Sequence, residues 1–379
     1  MEYDIVMVTA DEWSGLERVR HRIAHYFSKD HKVLFIENPR LTFLSLLRDR
    51  SRLRRVVNGQ RITQVSDSLF VYSPPLCLPF WQNSRLINGI NNCWLNARAR
   101  DLISDLDLKN VVMWYFHYNH ASMIGRSGEA LAVYTAHDAW EEKEGTTRSI
   151  TEEMERDLIS KVDVVFYTGL ENFEKKRVLN KDSFYIPHGA PDPIDRIPLR
   201  PMDLPRGGKV LGYWGLVDES SIDRQLMEKI SDAYPDDHIV LIGRSSDKIA
   251  GWIKRSGRAN IHLLGQKERN RMDEYLAYFD VGLIPYPRIP FRLSSSPLKV
   301  YDYLAYGLPV VSIGIRELEA MKDLVYTSAD GDSFINNIRA GLSENNNLRE
   351  RRRVYCRQNT WGHRLDKMKG IIENRLSIR

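Results

Sequence analysis

Short β-branched apolar runs alternate with stretches of helical spacing along almost the whole chain, and this alternation dictates a parallel-sheet α/β fold. "DIVMVTA" (4–10) and "HKVLFIENP" (31–39) are nearly continuous in apolar residues, as strands buried on both faces must be. Between them Leu16, Val19, Ile23 and Phe27 recur at steps of three and four, one side of a helix. Strand, helix and strand at this spacing make a βαβ unit. Similar runs lie at 108–117, 130–139, 162–169 and 183–190, and again at 209–215, 238–243, 259–265, 279–286 and 307–313. The stretch 149–161 sets Met154, Leu158 and Ile159 on one helical face.

Between the two series, residues 191–209 hold five prolines and two glycines and keep no period, which reads as an interdomain linker. A chain of 379 residues suits two domains with a core each. The reading is therefore two Rossmann-like doubly wound domains, residues 1–195 and 205–358. A last helix at about 360–379 carries Leu365, Met368, Ile371, Ile372 and Leu376 and needs another surface to cover it.

The charge balance, 55 basic against 50 acidic residues and so +5, does not by itself argue for nucleic acid, and no recognition motif accompanies it. Three cysteines form neither a metal-ligand spacing nor a disulfide framework, which fits a reducing compartment. The opening residues are acidic where a signal peptide is basic, and no run approaches the ~18 apolar residues of a membrane span. A cytoplasmic protein is expected. Residues 40–61 nevertheless hold seven arginines and one acid interleaved with leucines, and 74–100 mixes aromatics with arginine. Such segments suit peripheral attachment to an anionic membrane surface. The alternative is a solvated helix whose leucines face the core.

Residues 294–311 read "SSSPLKVYDYLAYGLPVV". Ser294, Ser295 and Ser296 are suited to capping, Pro297 to the first helical position, and Gly307 with Pro309 to a stop. The spacing predicts a helix over 297–306 that starts at the carboxyl edge of a parallel sheet. Lys299 falls in its first turn, where the dipole disfavours a cation by about 0.3 kcal/mol or more. A phosphate resolves that conflict, because amides, hydroxyls and ammonium converge on it. Asp302, one turn deeper, could hold ribose hydroxyls. The plainer alternative is an exposed Lys299–Asp302 pair on a capped helix.

That segment resembles the nucleotide-sugar motif of GT-B glycosyltransferases, in particular glycosyltransferase family 4 and its bacterial exopolysaccharide relatives. The resemblance extends through "IPHGAPD" (186–192), "VLGYWGLVDE" (210–219), "NIHLLGQKERNRMDEYLAYFDVGLIPY" (260–286) and "TWGHRLDKM" (360–368). It implies the GT-B fold, two domains facing across a cleft, with the last helix returning to the N-terminal domain. It implies a nucleotide-sugar donor, UDP-linked, as substrate, with no cofactor and no metal. The acceptor would be lipid-linked or a growing cell-surface glycan. Lys299 and the Ser295 and Ser296 amides would meet the diphosphate, beside Gly215 and Arg244 or Arg292. Asp302 would take the ribose, and Gln266 and Lys267 would lie where the base is held. Retaining members carry a second glutamate eight positions before the ribose acid, where this chain has Ser294. A UDP-sugar epimerase of the same fold and a non-catalytic nucleotide-sugar-binding partner are the rival readings.

Glycosyl transfer with inversion needs a base for the acceptor hydroxyl. "VYTAHDAWEE" (133–142) delivers His137 and Asp138 to a strand end, and Asp138 is the candidate base with His137 as its alternative or orienting partner. A helix N-cap is the bland reading of Asp138. Asp11 and Glu12 in "TADEW" form a competing site, and "FHYNH" adds His117 and His120 at another strand end.

Overall fold

The computed structural model describes residues 2–14, 18–37, 62–75, 77–137, 140, 148–191 and 198–378. Internal contacts divide the chain into two compact units, Met1–Ile186 with Leu365–Arg379, and Pro187–Arg364. The first crossing therefore precedes the proline-rich stretch rather than lying within it, at 186 instead of 195. The reason is a β-bridge between Ala190 and Thr360 inside the second unit, closed by Ala190 N–H to Asn359 O (2.8 Å) and Trp361 N–H to Ala190 O (3.1 Å).

The first unit holds strands β1 (Ile5–Val8), β2 (Val33–Ile36), β3 (Ile62–Ser66), β4 (Leu69–Tyr72), β5 (Val112–Tyr115), β6 (Leu131–Ala136), β7 (Val164–Tyr167) and β8 (Ser183–Tyr185). They form one sheet in the order β3-β4-β2-β1-β5-β6-β7-β8, parallel except for β3 against β4. The β3–β4 hairpin is absent from the sequence reading. Its outer strand is largely exposed, so no continuous apolar run announces it. The core strands β1, β2, β5, β6 and β7 are buried at every position, as their composition requires.

Among the helices, α1 (Val19–Phe27), α2 (Arg85–Asp105) and α3 (Arg148–Lys161) belong to the first unit. In α3, Met154, Leu158 and Ile159 are buried as their spacing demands. Helix α2 is built the other way round. Asn88, Asn92 and Asn96, at steps of four, face inward, and Leu86, Ile90 and Trp94 face solvent. The asparagines are satisfied by the turn that follows β5, so their burial carries no unmet hydrogen bond.

The second unit holds β9 (Val210–Trp214), β10 (His238–Ile242), β11 (Ile261–Leu263), β12 (Val281–Ile284), β13 (Val310–Ile313) and β14 (Tyr326–Ser328). The order is β11-β10-β9-β12-β13-β14, all parallel. The order reverses between β9 and β12, and in the first unit between β1 and β5. Open α/β sheets bind ligands outside the carboxyl ends of their strands at such points. Helix α4 (Lys299–Ala305) follows β12 and is packed by α5 (Asn346–Gln358). The buried Arg352 of α5 donates to Glu344 and to the carbonyls of Gly307 and Leu324, which fixes the turn leaving α4. The last helix, α6 (Trp361–Ile378), buries Leu365, Met368, Ile372 and Leu376. Its Asp366, Lys369 and Arg375 bond to Tyr26, Asp30 and Asp182 of the first unit, to which 365–379 belong.

Candidate functional site

Helix α4 is shorter than 297–306, and no serine caps it. Ser294 Oγ donates to Pro290 O (3.0 Å) and Ser295 Oγ to Arg292 O (2.7 Å), so both close the preceding turn, Pro290–Leu293. Leu298 occupies the N-cap in a helical conformation without a side-chain bond. Ser296 keeps a buried hydroxyl with no partner among the described residues. The C-terminal end is as read: Gly307 has φ +72°, and Leu308 N–H returns to Tyr303 O (3.0 Å).

Lys299 does not stand free at the mouth of the helix, and it forms no exposed pair with Asp302. It is 8% exposed, and its Nζ donates to Tyr213 Oη (2.9 Å) and Tyr286 Oη (2.8 Å). The ammonium lies 4.1 Å and 4.7 Å from the two ring centroids. Tyr213 comes from β9 and Tyr286 from the loop after β12, so the lysine occupies the switch point of the second sheet. Gly215 follows β9 with φ +133°, and a Cβ there would come within 3.0 Å of Lys299 Nζ. Glycine at 215 therefore serves both the backbone conformation and the room for the ammonium.

Burial pushes the Lys299 ammonium well below the usual lysine range, and the nearby Arg292 guanidinium adds to the fall; Asp302 and Asp218 oppose it. Burial likewise lifts Tyr213 far above the ordinary phenol and Tyr286 to about 12, so both stay neutral. Among the described residues the hydrogen-bond partners of this cation are thus two uncharged phenols. Arg292 stacks on Tyr286 (4.6 Å) and donates to Ser220 O (2.6 Å), Ser220 Oγ (2.7 Å) and Ser221 Oγ (2.7 Å). Two cations therefore share one aromatic wall, an arrangement that attracts an anion.

Asp302 is 5% exposed and pairs with Arg269, whose guanidinium lies 4.6 Å over the Trp214 ring. Lys267 is tied to Asp203 (2.6 Å), which raises its pKa, and Gln266 and Arg244 are exposed. Gly215, Lys299 and Arg292 are brought together. Lys267 is directed to a partner of its own, and Arg244 contributes only a carbonyl bond from Val217 N–H (3.0 Å). Tyr213, Tyr286, Trp214 and Arg269 were not singled out in the sequence, since an aromatic residue beside a strand reads as core.

In the first unit, Asp138 and the segment 40–61 lie outside the described residues. His137 follows β6; its ring stacks on Phe116 (5.8 Å) and its carbonyl accepts from Thr168 Oγ1 (3.3 Å). The competing carboxylate is committed elsewhere: Asp11, buried after β1, takes Arg20 at 2.7 Å and Arg18 at 3.1 Å. His117 and His120 bond to Asn119 (2.7 Å) and Asn92 (3.1 Å).

No family model matches the chain. Over 163 residues it is 26% identical to TuaH of Bacillus subtilis (strain 168), whose name ascribes to it a glycosyltransferase role in teichuronic acid biosynthesis; the match covers 41% of each protein. The chain thus spans well under half the length of the curated relative it matches. Solved structures align along its full length. A sucrose-phosphate synthase from Thermosynechococcus elongatus superposes with a TM-score of 0.72 at 13% identity, covering 100% of both chains. An E. coli trehalose-6-phosphate structure bound with UDP-2-fluoro glucose gives 0.68 at 12%, covering 98% and 99%. With its two largely parallel sheets in tandem, the chain has the fold of these proteins, GT-B.

Proposed function

We propose that this protein is a glycosyltransferase that moves a sugar from a nucleotide-diphosphate donor, UDP-linked, to a lipid-linked or growing bacterial cell-surface polysaccharide. The observation that carries the reading is the buried Lys299 ammonium at the switch point of the second sheet, held by two neutral hydroxyls. A cation kept out of water without a paired carboxylate is costly to the fold, on the order of a few kcal/mol. An incoming diphosphate supplies the missing charge.

In this reading Lys299 and Arg292 neutralise the departing diphosphate as the oxocarbenium-like state develops. The Ser295 amide is not offered, since it donates to Arg292 O (3.2 Å); the Ser296 amide adds a donor, and Asp302 exchanges Arg269 for the ribose hydroxyls. The backbone near Gln266 and Lys267 receives the base. Asp138 removes the acceptor proton, with His137 beside it. Departure of the diphosphate is assisted by these cations and needs no divalent metal. The names of the matched proteins support the reading: one structural neighbour carries UDP-2-fluoro glucose, and the curated relative is named as a glycosyltransferase of teichuronic acid biosynthesis.

A panel of nucleotide sugars, scored first by thermal shift and then by turnover on extracted lipid and glycan acceptors, tests the proposal. The expected result is stabilisation by UDP-sugars and transfer that persists in EDTA. Turnover of donor without acceptor into an isomeric sugar nucleotide would indicate an epimerase instead. No stabilisation by any nucleotide sugar would remove the reading.

The acceptor's lipid anchor fits the outward face of α2. Leu86, Ile90 and Trp94 are 77%, 38% and 51% exposed, with Phe80 at 65% ahead of them. Arg85 and Arg98 lie on the same helix. Such a face suits the interfacial zone of an anionic bilayer. Among the described residues no helix is long and apolar enough to cross a membrane. Vesicles containing phosphatidylglycerol should co-sediment the protein at low salt, and Leu86→Ser with Ile90→Ser should cut the bound fraction several-fold. Equal, negligible pelleting with neutral and anionic vesicles would defeat the membrane reading.

A further inference from the structure

The carboxylate assigned to the ribose is already occupied. Asp302, in the first turn of α4, pairs with Arg269, and that guanidinium lies 4.6 Å over the ring of Trp214 at the end of β9. Arg269 comes from the short turn Arg269–Arg271 beyond β11, so three elements meet at this one contact. Of the Arg269 side chain 35% is exposed, against 7% for that of Asp302. The arginine is therefore the outer member and covers the carboxylate from the solvent side.

The rest of the segment leaving β11 is anchored without this contact. Lys267 is held by Asp203 (2.6 Å), which also accepts from Tyr275 Oη (3.0 Å), and Arg271 pairs with Glu274 (2.8 Å). Among the described residues the Arg269 guanidinium has Asp302 as its hydrogen-bond partner and the Trp214 ring as its aromatic one. Swinging Arg269 away thus breaks one ion pair and one cation–π contact and leaves the anchors intact. In the same wall Trp214 Nε1 is buried with no acceptor among the described residues. An unmet buried donor beside a carboxylate under cover is what a wall completed by a ligand presents.

We propose that Arg269 is an autoinhibitory latch: its guanidinium occupies Asp302 and Trp214 in the empty protein, and a nucleoside diphosphate binds only as the latch opens. The proposal rests on the donor reading and adds a regulation of that same site. A carboxylate accepts the paired N–H groups of a guanidinium or the paired hydroxyls of a ribose, and one excludes the other. Latched molecules bind no nucleotide, so the apparent affinity falls in proportion to the open fraction. A part-exposed ion pair together with one cation–π contact leaves about a tenth to a fifth of the molecules open.

The sign of the effect makes the test sharp, because removing a cation beside an anion site ordinarily weakens binding. In calorimetric titration of the full chain, Arg269→Gln should instead tighten UDP about five- to tenfold. Asp302→Asn should weaken UDP, and Arg269→Gln added to it should change nothing further, since no carboxylate remains to be covered. Arg269→Gln should also lower the melting temperature without UDP, because it strands a buried carboxylate, and UDP should raise it by more than in the wild type. Uridine separates the latch from the phosphates. Wild-type affinity for uridine should rise as sodium chloride weakens the ion pair, a measurement that stands even if Arg269→Gln does not fold, and it should stay flat in that variant. UDP binding unchanged or weakened by Arg269→Gln, tightening that persists beside Asp302→Asn, or uridine affinity that does not rise with salt in the wild type would each overturn the latch and leave the donor site standing. UDP binding absent from the wild type and from Arg269→Gln alike would remove the donor reading itself, and the latch with it.

Discussion

Replacing Lys299 by methionine is expected to lower donor turnover by about 10²- to 10³-fold, the loss seen when a preorganised group stabilising transition-state charge is removed. The fold should not suffer. The lysine tip lies between two tyrosines and its charge is disfavoured by burial, so an apolar chain of similar length removes a penalty. Melting temperature should hold or rise in the variant, which separates loss of chemistry from loss of structure. A pH signature follows. The folded protein binds fewer protons at Lys299 than the unfolded chain between the lowered pKa and the ordinary lysine range, so stability rises with pH across that window. Below the window the penalty is complete, and above it the penalty has vanished. Lys299→Met should flatten that rise. Diphosphate binding should take up a proton in the same window, measurable by calorimetry in buffers of different ionisation enthalpy. An unchanged turnover, or a wild-type pH profile matched by the variant, would refute the assignment of Lys299.

Asp138→Asn is expected to cost about 10²- to 10⁴-fold in transfer, the usual contribution of a general base, with UDP affinity unaltered. Asp11→Asn provides the contrast. Asp11 is held by Arg20 and Arg18, so its loss leaves a buried guanidinium without its counter-ion and should lower the melting temperature by several degrees. The first variant should therefore fail in chemistry and remain folded, and the second should show the reverse weighting. His137, which precedes Asp138 in the sequence, follows β6 and stacks on Phe116. Comparable losses of transfer in both variants, without the stability difference, would return the base to the loop after β1.

The two kinds of legibility differ at particular residues. The buried strands β1, β2, β5 and β9 and the inward face of α3 were readable because local periodicity reports burial directly. Gly307 was readable as a helix stop for the same local reason. Capping by Ser294 and Ser295 was expected from the sequence and does not occur, because the short turn Pro290–Leu293 competes for the same hydroxyls and lies nearer. In helix α2 the aromatic read as exposed within 74–100 is exposed, but the helix's inward face was not read. Its asparagines are the buried ones, satisfied by a turn more than twenty residues away, which no local pattern announces.

By itself the sequence determined two α/β units in tandem and a lysine in the first turn of helix α4, since both follow from residue order and spacing along one chain. Only the tertiary structure decided what that lysine meets. Tyr213, Tyr286 and Arg292 converge on it because parallel strands distant in sequence end at one sheet edge, where the order of β9 and β12 opens a crevice. The same geometry committed Asp11 to arginines and brought His117 to Asn119 and His120 to Asn92. Those partners are chosen by strand order and side-chain reach, which no local pattern records.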